Sequence, residues 1–363
     1  MKKLILTLSL AVASLAQAGN LKYVNGSEFP LIGKGIADDA SAARYQRLPD
    51  SIQSQLPREF LWFLGRNTSG LALRFASDSP YINAKWTNSD KIDMNHMPAT
   101  GIRGIDLYTL DDNGRWQFVN TGRPSLESAT TELTVNANMK PGVMREYIMF
   151  LPLYDGISDI AIGYDDDYTL TTPQRPELPA TGNPIVVYGT SITQGGCASR
   201  PGMSYTNILT RKLNREFVNF GFSGNGQLDL EIAPVVAGVE NPSLFIMDYC
   251  ANVTKEIIED KMLDFIKIIR EKHPDVPILF VENPSFPFAR YDLDMAAKVE
   301  SRNKALKEHY EILAAGGDKN LYYLSTEGLI GNDGEATVDG IHLTDLGFYR
   351  LSQVLESAIK AIL

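Results

Sequence analysis

Two stretches of the chain carry side chains whose types and spacing fit nucleophilic acyl chemistry. The first is Pro184-Ile185-Val186-Val187-Tyr188-Gly189-Thr190-Ser191. A β-branched apolar run that breaks into glycine and then a hydroxyl reads as a buried strand ending in a turn that presents Ser191. Serine is common in turns and helix caps, so this stretch alone says little. The second is Val338-Asp339-Gly340-Ile341-His342-Leu343-Thr344. Asp339 stands three residues before His342 in a glycine-containing loop. Its carboxylate can fold back onto Nδ1 and leave Nε2 to take a proton from a serine. Ser191, His342 and Asp339 are therefore the candidate nucleophile, base and orienting acid.

The order serine, aspartate, histidine, with the last two only three apart, resembles that of the SGNH, or GDSL-type, esterases and lipases. Their four blocks centre on a serine, a glycine, an asparagine and a histidine. The matching stretches are Gly189-Thr190-Ser191, Gly221-Phe222-Ser223-Gly224-Asn225-Gly226, Asp248-Tyr249-Cys250-Ala251-Asn252 and Asp339 to His342. Two departures stand out: Thr190 replaces the usual aspartate before the serine, and the third block lacks its glycine. The resemblance covers about the last half of the chain. It implies a flavodoxin-like parallel sheet with helices on both faces, and an oxyanion hole built from the N–H groups of Ser191 and Gly224 and the side-chain amide of Asn252. A glycine at 224 would let the backbone approach the substrate without a Cβ in the way.

The elements that must position these residues change character along the chain. From Leu61 to Asp167, short runs alternate between apolar and polar residues, as in Leu71-Ala72-Leu73-Arg74-Phe75 and Ile82-Asn83-Ala84-Lys85-Trp86, with Gly, Asp and Asn clusters between them. That spacing predicts an antiparallel sandwich. Gly104-Ile105-Asp106-Leu107-Tyr108 resembles the Gly-x-Asp-Leu-Tyr signature of a β-sandwich found ahead of SGNH domains in exported bacterial proteins. Prolines 173, 176, 179 and 184 then predict a semi-rigid linker. Beyond it, strand-like runs at Ile185–Tyr188, Phe217–Gly221, Leu244–Tyr249, Ile278–Glu282 and Leu321–Leu324 alternate with helical stretches. The clearest helix is Thr254–His273, and the alternation means a parallel sheet covered on both sides. Ser191, Gly224, Asn252 and His342 follow the first, second, third and fifth of those runs. They converge on the carboxyl edge of the sheet, where open α/β folds bind ligands.

The expected organisation is a signal peptide over 1–18, a β-sandwich over 19–168, a linker over 169–184 and the hydrolase domain over 185–363. Met1-Lys2-Lys3, the apolar run from Leu4 and the Ala16-Gln17-Ala18 pattern carry the leader reading and predict export to the periplasm or medium. A net charge of −10 and a pI near 5.0 argue against a nucleic-acid or anionic-membrane partner. No cofactor is implied, and the Asp111–Gly114 and Asp165–Asp167 runs lack calcium-loop spacing. His273 and His309 read as solvent-facing helix residues, and His96 as a sandwich residue that could border the site. Ser223 reads as loop structure, not as a rival nucleophile.

The chain has two cysteines, and in a sheet of order 2-1-3-4-5 the loops bearing Cys197 and Cys250 are neighbours, which predicts a disulfide beside the oxyanion hole, with two buried free thiols as the alternative. The resemblance implies a secreted or periplasmic carboxylic-ester hydrolase removing acetyl or other short acyl groups from carbohydrates. Two rival readings are a lipid or lysophospholipid esterase, for which Pro284–Phe288 is the only lid candidate, and an inactive carbohydrate-binding protein. Trp86, Tyr108 and Trp116 could face sugar rings, although residues of alternating strands are more often core.

Overall fold

The structure is a computed structural model that describes residues 20–36 and 44–363; the expected leader lies outside the described residues. Five parallel strands form the central sheet: β1 (Ala180–Gly189), β2 (Arg215–Gly221), β3 (Leu244–Asp248), β4 (Ile278–Val281) and β5 (Leu321–Leu324). Their order is β2-β1-β3-β4-β5, the expected 2-1-3-4-5. Successive residues of β1 point to opposite faces. Val186 and Tyr188 pack with Ile258, Met262 and Phe265 of helix α2 (Lys255–Lys272) and Leu306 of α3 (Leu293–Ala315). Ile185 and Val187 pack with Leu209 of α1 (Tyr205–Leu213) and Phe348, Leu351 and Leu355 of α4 (Asp345–Ile362). A strand buried on both faces has no polar side to show, which is why β1 reads as a continuous apolar run. Thr254 caps α2 by accepting from the Ile257 N–H, as its sequence position suggests.

The preceding residues form two antiparallel sheets. One orders Leu21–Asn25, Ile157–Asp165, Ile82–Asn88 and Thr130–Asn136. The other runs from Leu170–Thr171 through Ala72–Ser77, Arg145–Phe150 and Ile105–Leu110 to Trp116–Gly122. Leu73, Phe75, Trp86, Leu107, Ile160 and Ile162 fill the space between them. Trp86, Tyr108 and Trp116 are all buried, so none offers a flat face to a sugar.

The second sheet departs from simple alternation, since all six residues of Ala72–Ser77 are buried. Its outer face is the docking surface for the parallel-sheet layer, so both faces are closed. The Gly104–Tyr108 signature lies at this junction. The Asp106 carboxylate accepts from Arg200 Nη1 at 2.7 Å, the Gly202 N–H at 2.8 Å and the Thr121 hydroxyl at 2.7 Å. Arg200 also donates to the Tyr108 hydroxyl and lies 3.9 Å from the Phe118 ring centroid, while Arg211 lies 4.0 Å from that of Tyr108. A Cβ on Gly202 would collide with the Tyr108 ring.

The proline-rich stretch is also fastened. Leu170–Thr171 pairs with Ser77 and Ala76, and Glu146 accepts from the N–H groups of Gln174 and Arg175. Pro184 falls inside β1, at the register shift between Ala180 and Ile185 where no ladder donor is needed.

Cys197 and Cys250 are both buried free thiols, which corrects the expected disulfide. Their strands are neighbours, but Cys250 packs with Tyr188, Met247 and Phe280 on one face of the sheet and Cys197 with Ile192 and Tyr205 on the other. Strand adjacency does not specify the face. Burial pushes both thiols up to about 12, with the Asp339 charge adding to the rise at Cys197. The histidine readings also change: His309 is buried and bonded to the Ala305 carbonyl, and His273 Nε2 lies 2.8 Å from the Ala237 carbonyl.

Candidate active site

Ser191 begins a four-residue helix, Ser191–Gln194, that turns off the end of β1. Thr190 caps it: its hydroxyl accepts from the Ile192 N–H, and its own N–H donates to Thr193 Oγ1. Thr193 in turn donates to Asp248 Oδ2 at 2.8 Å, and Tyr205 donates to the same oxygen at 2.7 Å. Threonine at 190 thus caps the serine turn itself, and the acid that braces the turn comes from β3. Burial lifts the Asp248 carboxyl to about 6, the hydroxyls of Tyr205 and Thr193 opposing the rise. Gln194 binds three segments at once. Its Nε2 donates to Asn67 Oδ1 and the Leu153 carbonyl, and its Oε1 accepts from the Ser223 N–H.

The second half of the site is one tight loop. His342 Nδ1 lies 2.7 Å from Asp339 Oδ2, and Nε2 lies 3.0 Å from Ser191 Oγ. A carboxylate only accepts, so the proton sits on Nδ1 and Nε2 is free to accept from the serine. Asp339 Oδ1 takes the N–H groups of His342 at 2.8 Å and Ile341 at 3.0 Å. Partial burial would raise the Asp339 carboxyl, but these donors together bring it down to about 2. Gly340 makes the turn possible: its φ is +93°, and a Cβ there would stand 2.8 Å from Phe288 Cδ1. Phe288 stacks on the buried Phe286, so the Pro284–Phe288 segment is packed down as a wall behind the histidine loop.

Gly224 and Asn252 lie at the same sheet edge, after β2 and β3 respectively. A Cβ on Gly224 would meet no other atom of the protein within 4 Å, so packing within the chain does not call for glycine there. Its φ of +67° is the reason for glycine. Among the described residues, neither the Ser191 nor the Gly224 N–H is spent on an internal acceptor. Asn252 occupies the short turn Cys250–Asn252, and its Oδ1 is buried without a donor among the described residues. Ser223 is held in the loop by its N–H, and the imidazole faces Ser191 instead.

Sequence reasoning left His96 open, and the structure sets its ring 5.6 Å from that of His342, centroid to centroid. It missed Gln194 and Arg47. The Arg47 guanidinium is buried and donates to the carbonyls of Leu64, Asn67, Asn219 and Gly221, so burial pushes it down to about 9. Asp248 was within reach, being a charge that ends an otherwise apolar strand.

A parallel sheet with this serine-and-histidine edge, closed on one side by an antiparallel sandwich, is the architecture of an SGNH-type esterase. The chain belongs to the GDSL-like lipase/acylhydrolase family, which residues 182–360 match, while residues 21–170 match a domain described as the N-terminus of esterases of the SGNH hydrolase type. A solved GDSL-like lipase structure from Bacteroides ovatus is similar at 34% identity and a TM-score of 0.88, over 94% of this chain and 98% of that one. A salicylyl-acyltransferase from a tetracycline biosynthetic pathway has the same fold at 18% identity and a TM-score of 0.75, over 94% and 97%. So does a family two carbohydrate esterase from Cellvibrio japonicus, at 13% identity and a TM-score of 0.59, over 94% and 98%. Comparison with curated proteins finds no match. No helix among the described residues is long and apolar enough to cross a membrane.

Proposed function

We propose that this esterase removes acetyl and other short acyl groups from carbohydrates through Ser191, His342 and Asp339. The observation that carries the reading is the continuous Asp339–His342–Ser191 chain at 2.7 and 3.0 Å. Ser191 Oγ attacks the ester carbonyl as its proton passes to His342 Nε2. The resulting oxyanion is met by the N–H groups of Ser191 and Gly224 and the amide of Asn252. His342 then returns the proton to the departing sugar hydroxyl. Water repeats the sequence on the acyl-enzyme, releasing the acid and restoring Ser191.

A glycan suspended in water suits this site better than a lipid at an interface. In the Pro284–Phe288 segment, the lid candidate, Phe286 is buried and stacks on Phe288, the chain carries a net charge of −10, and the fold is shared with carbohydrate esterases. The Met1–Ala18 pattern supports an exported enzyme.

The test is acetate release from acetylated oligosaccharides alongside aryl esters of increasing acyl length. Activity is expected to fall steeply beyond about four acyl carbons. Efficient turnover of emulsified long-chain lipids, with activation at the oil–water interface, would show the substrate class to be wrong.

A further inference from the structure

The reaction just described has no use for two groups that stand against it. His96 comes from the sandwich layer, on a segment fixed by the Asp155 carboxylate, which accepts from the Asp90 and Ile92 N–H groups at 2.9 and 3.0 Å. Cys197 comes from the loop after Ser191, and its N–H donates to Met97 Sδ at 3.4 Å, one residue beyond His96. The cysteine is held at φ +71°, a left-handed conformation that a residue with a Cβ adopts only when its surroundings impose it. One ligand atom each from His96, Cys197, Asp339 and His342 lies within 4.8 Å of all the others.

Two imidazoles, a thiol and a carboxylate form the donor set of a tetrahedral zinc site. We propose that these four residues bind Zn2+ and that the bound ion switches the esterase off. Zinc–ligand bonds of about 2.0–2.3 Å put tetrahedral ligand atoms roughly 3.3–3.8 Å apart, so even the most widely spaced of the four atoms need close by no more than about 1.5 Å on binding. The thiol gives its proton to solvent and coordinates as thiolate. His342 is disabled whichever nitrogen it uses: bound through Nε2 it has spent that lone pair, and bound through Nδ1 it carries its proton on Nε2. Ser191 then has no base, and Asp339 is drawn from its place behind the ring.

The inhibition rests on the proposed triad; the binding does not. Cobalt(II) serves as a coloured substitute for zinc on the full-length protein, with His96→Asn and Cys197→Ser as variants. Saturable near-ultraviolet thiolate-to-cobalt absorption that vanishes in Cys197→Ser is expected. Micromolar zinc should block ester hydrolysis while millimolar Mg2+ and Ca2+, which prefer oxygen ligands, leave it untouched. His96→Asn should keep basal hydrolysis and raise the half-inhibiting zinc concentration roughly tenfold or more. Absence of the cobalt–thiolate absorption overturns the site, and equal zinc sensitivity in wild type and His96→Asn overturns the switch. Should Cys197→Ser not fold, the His96→Asn comparison decides. If the wild type hydrolyses no ester at all, the absorption still decides the metal site, so the two readings fail separately.

Discussion

Ser191 is 5% exposed and its neighbours Thr190, Thr193 and Gln194 are fully buried, whereas His342 and Asp339 show 23% and 35% of their side chains to solvent. The turn that carries Ser191, the proposed nucleophile, is held by groups drawn from four segments: Asp248, Tyr205, Asn67 and the Leu153 carbonyl. His342, the proposed base, is held by its own loop, through a carboxylate three residues back, a glycine at positive φ and the short Thr337–Leu343 bridge. Ser191 is thus positioned by the core, and His342 by local turn chemistry. Damage to the two ends should therefore look different.

The largest expected effect is on the buried side. Ser191→Ala should lower kcat by about 10^4-fold or more without moving the thermal midpoint, because the oxygen serves chemistry and not packing. A phosphonate ester should label Ser191, and labelling of Ser223 would reverse the assignment. On the loop side, Asp339→Asn should cost about 10^3- to 10^4-fold in kcat by permitting the wrong tautomer. A loss under tenfold would show that the loop holds His342 without the acid.

Asp106→Ala separates support from chemistry. It strands a partly buried Arg200 and the Gly202 N–H, and the unfolding free energy measured in urea should drop by about 3–5 kcal/mol. A surface-like loss below about 1 kcal/mol would mean the junction is not a real constraint. Gly340→Ala forces φ +93° on a residue with a Cβ aimed at Phe288, and kcat should fall about 10^2-fold through a displaced His342 while the fold survives.

The smallest effect is a pH slope. Folding raises the Asp248 carboxyl to about 6, so the folded state holds that proton more tightly than the unfolded chain. Its contribution to stability is complete below about pH 4 and is lost as pH rises through about 6, by at most about 3 kcal/mol. Urea unfolding of wild type and Asp248→Asn across that window should show a steeper slope in the wild type than in the variant, where the buried acids Asp106, Asp155 and Glu216 are also raised and still contribute. Parallel curves would contradict the buried acid.

The parallel sheet was legible because strands buried on both faces spell continuous apolar runs, and Thr254 with Ile258, Met262, Phe265 and Ile269 spells a capped, one-faced helix. Asp339 and His342 were legible because their contact is local, three residues apart. The contacts that failed to show are those that tertiary packing alone creates. Asp106 meets Arg200 across 94 residues, inside a strand whose sequence alternates like any other. Gln194 looks like an ordinary polar residue after a serine. The two cysteines show the limit most clearly: strand order was right, but which way each side chain leaves the sheet depends on the turn geometry at the strand ends. His96 needed both layers in place before its nearness to His342 could appear.

The junction built on Asp106, Tyr108, Arg200 and Gly202 bears on how a minimal catalyst should be cut. A gene divided at the proline-rich stretch would leave an anion without its cation on one polypeptide and two arginines without their rings on the other. The sandwich also carries His96 over the imidazole, so exchanging it for that of a relative would import a different ceiling above the same reaction. For engineering, the smallest interchangeable part is the pair of layers together.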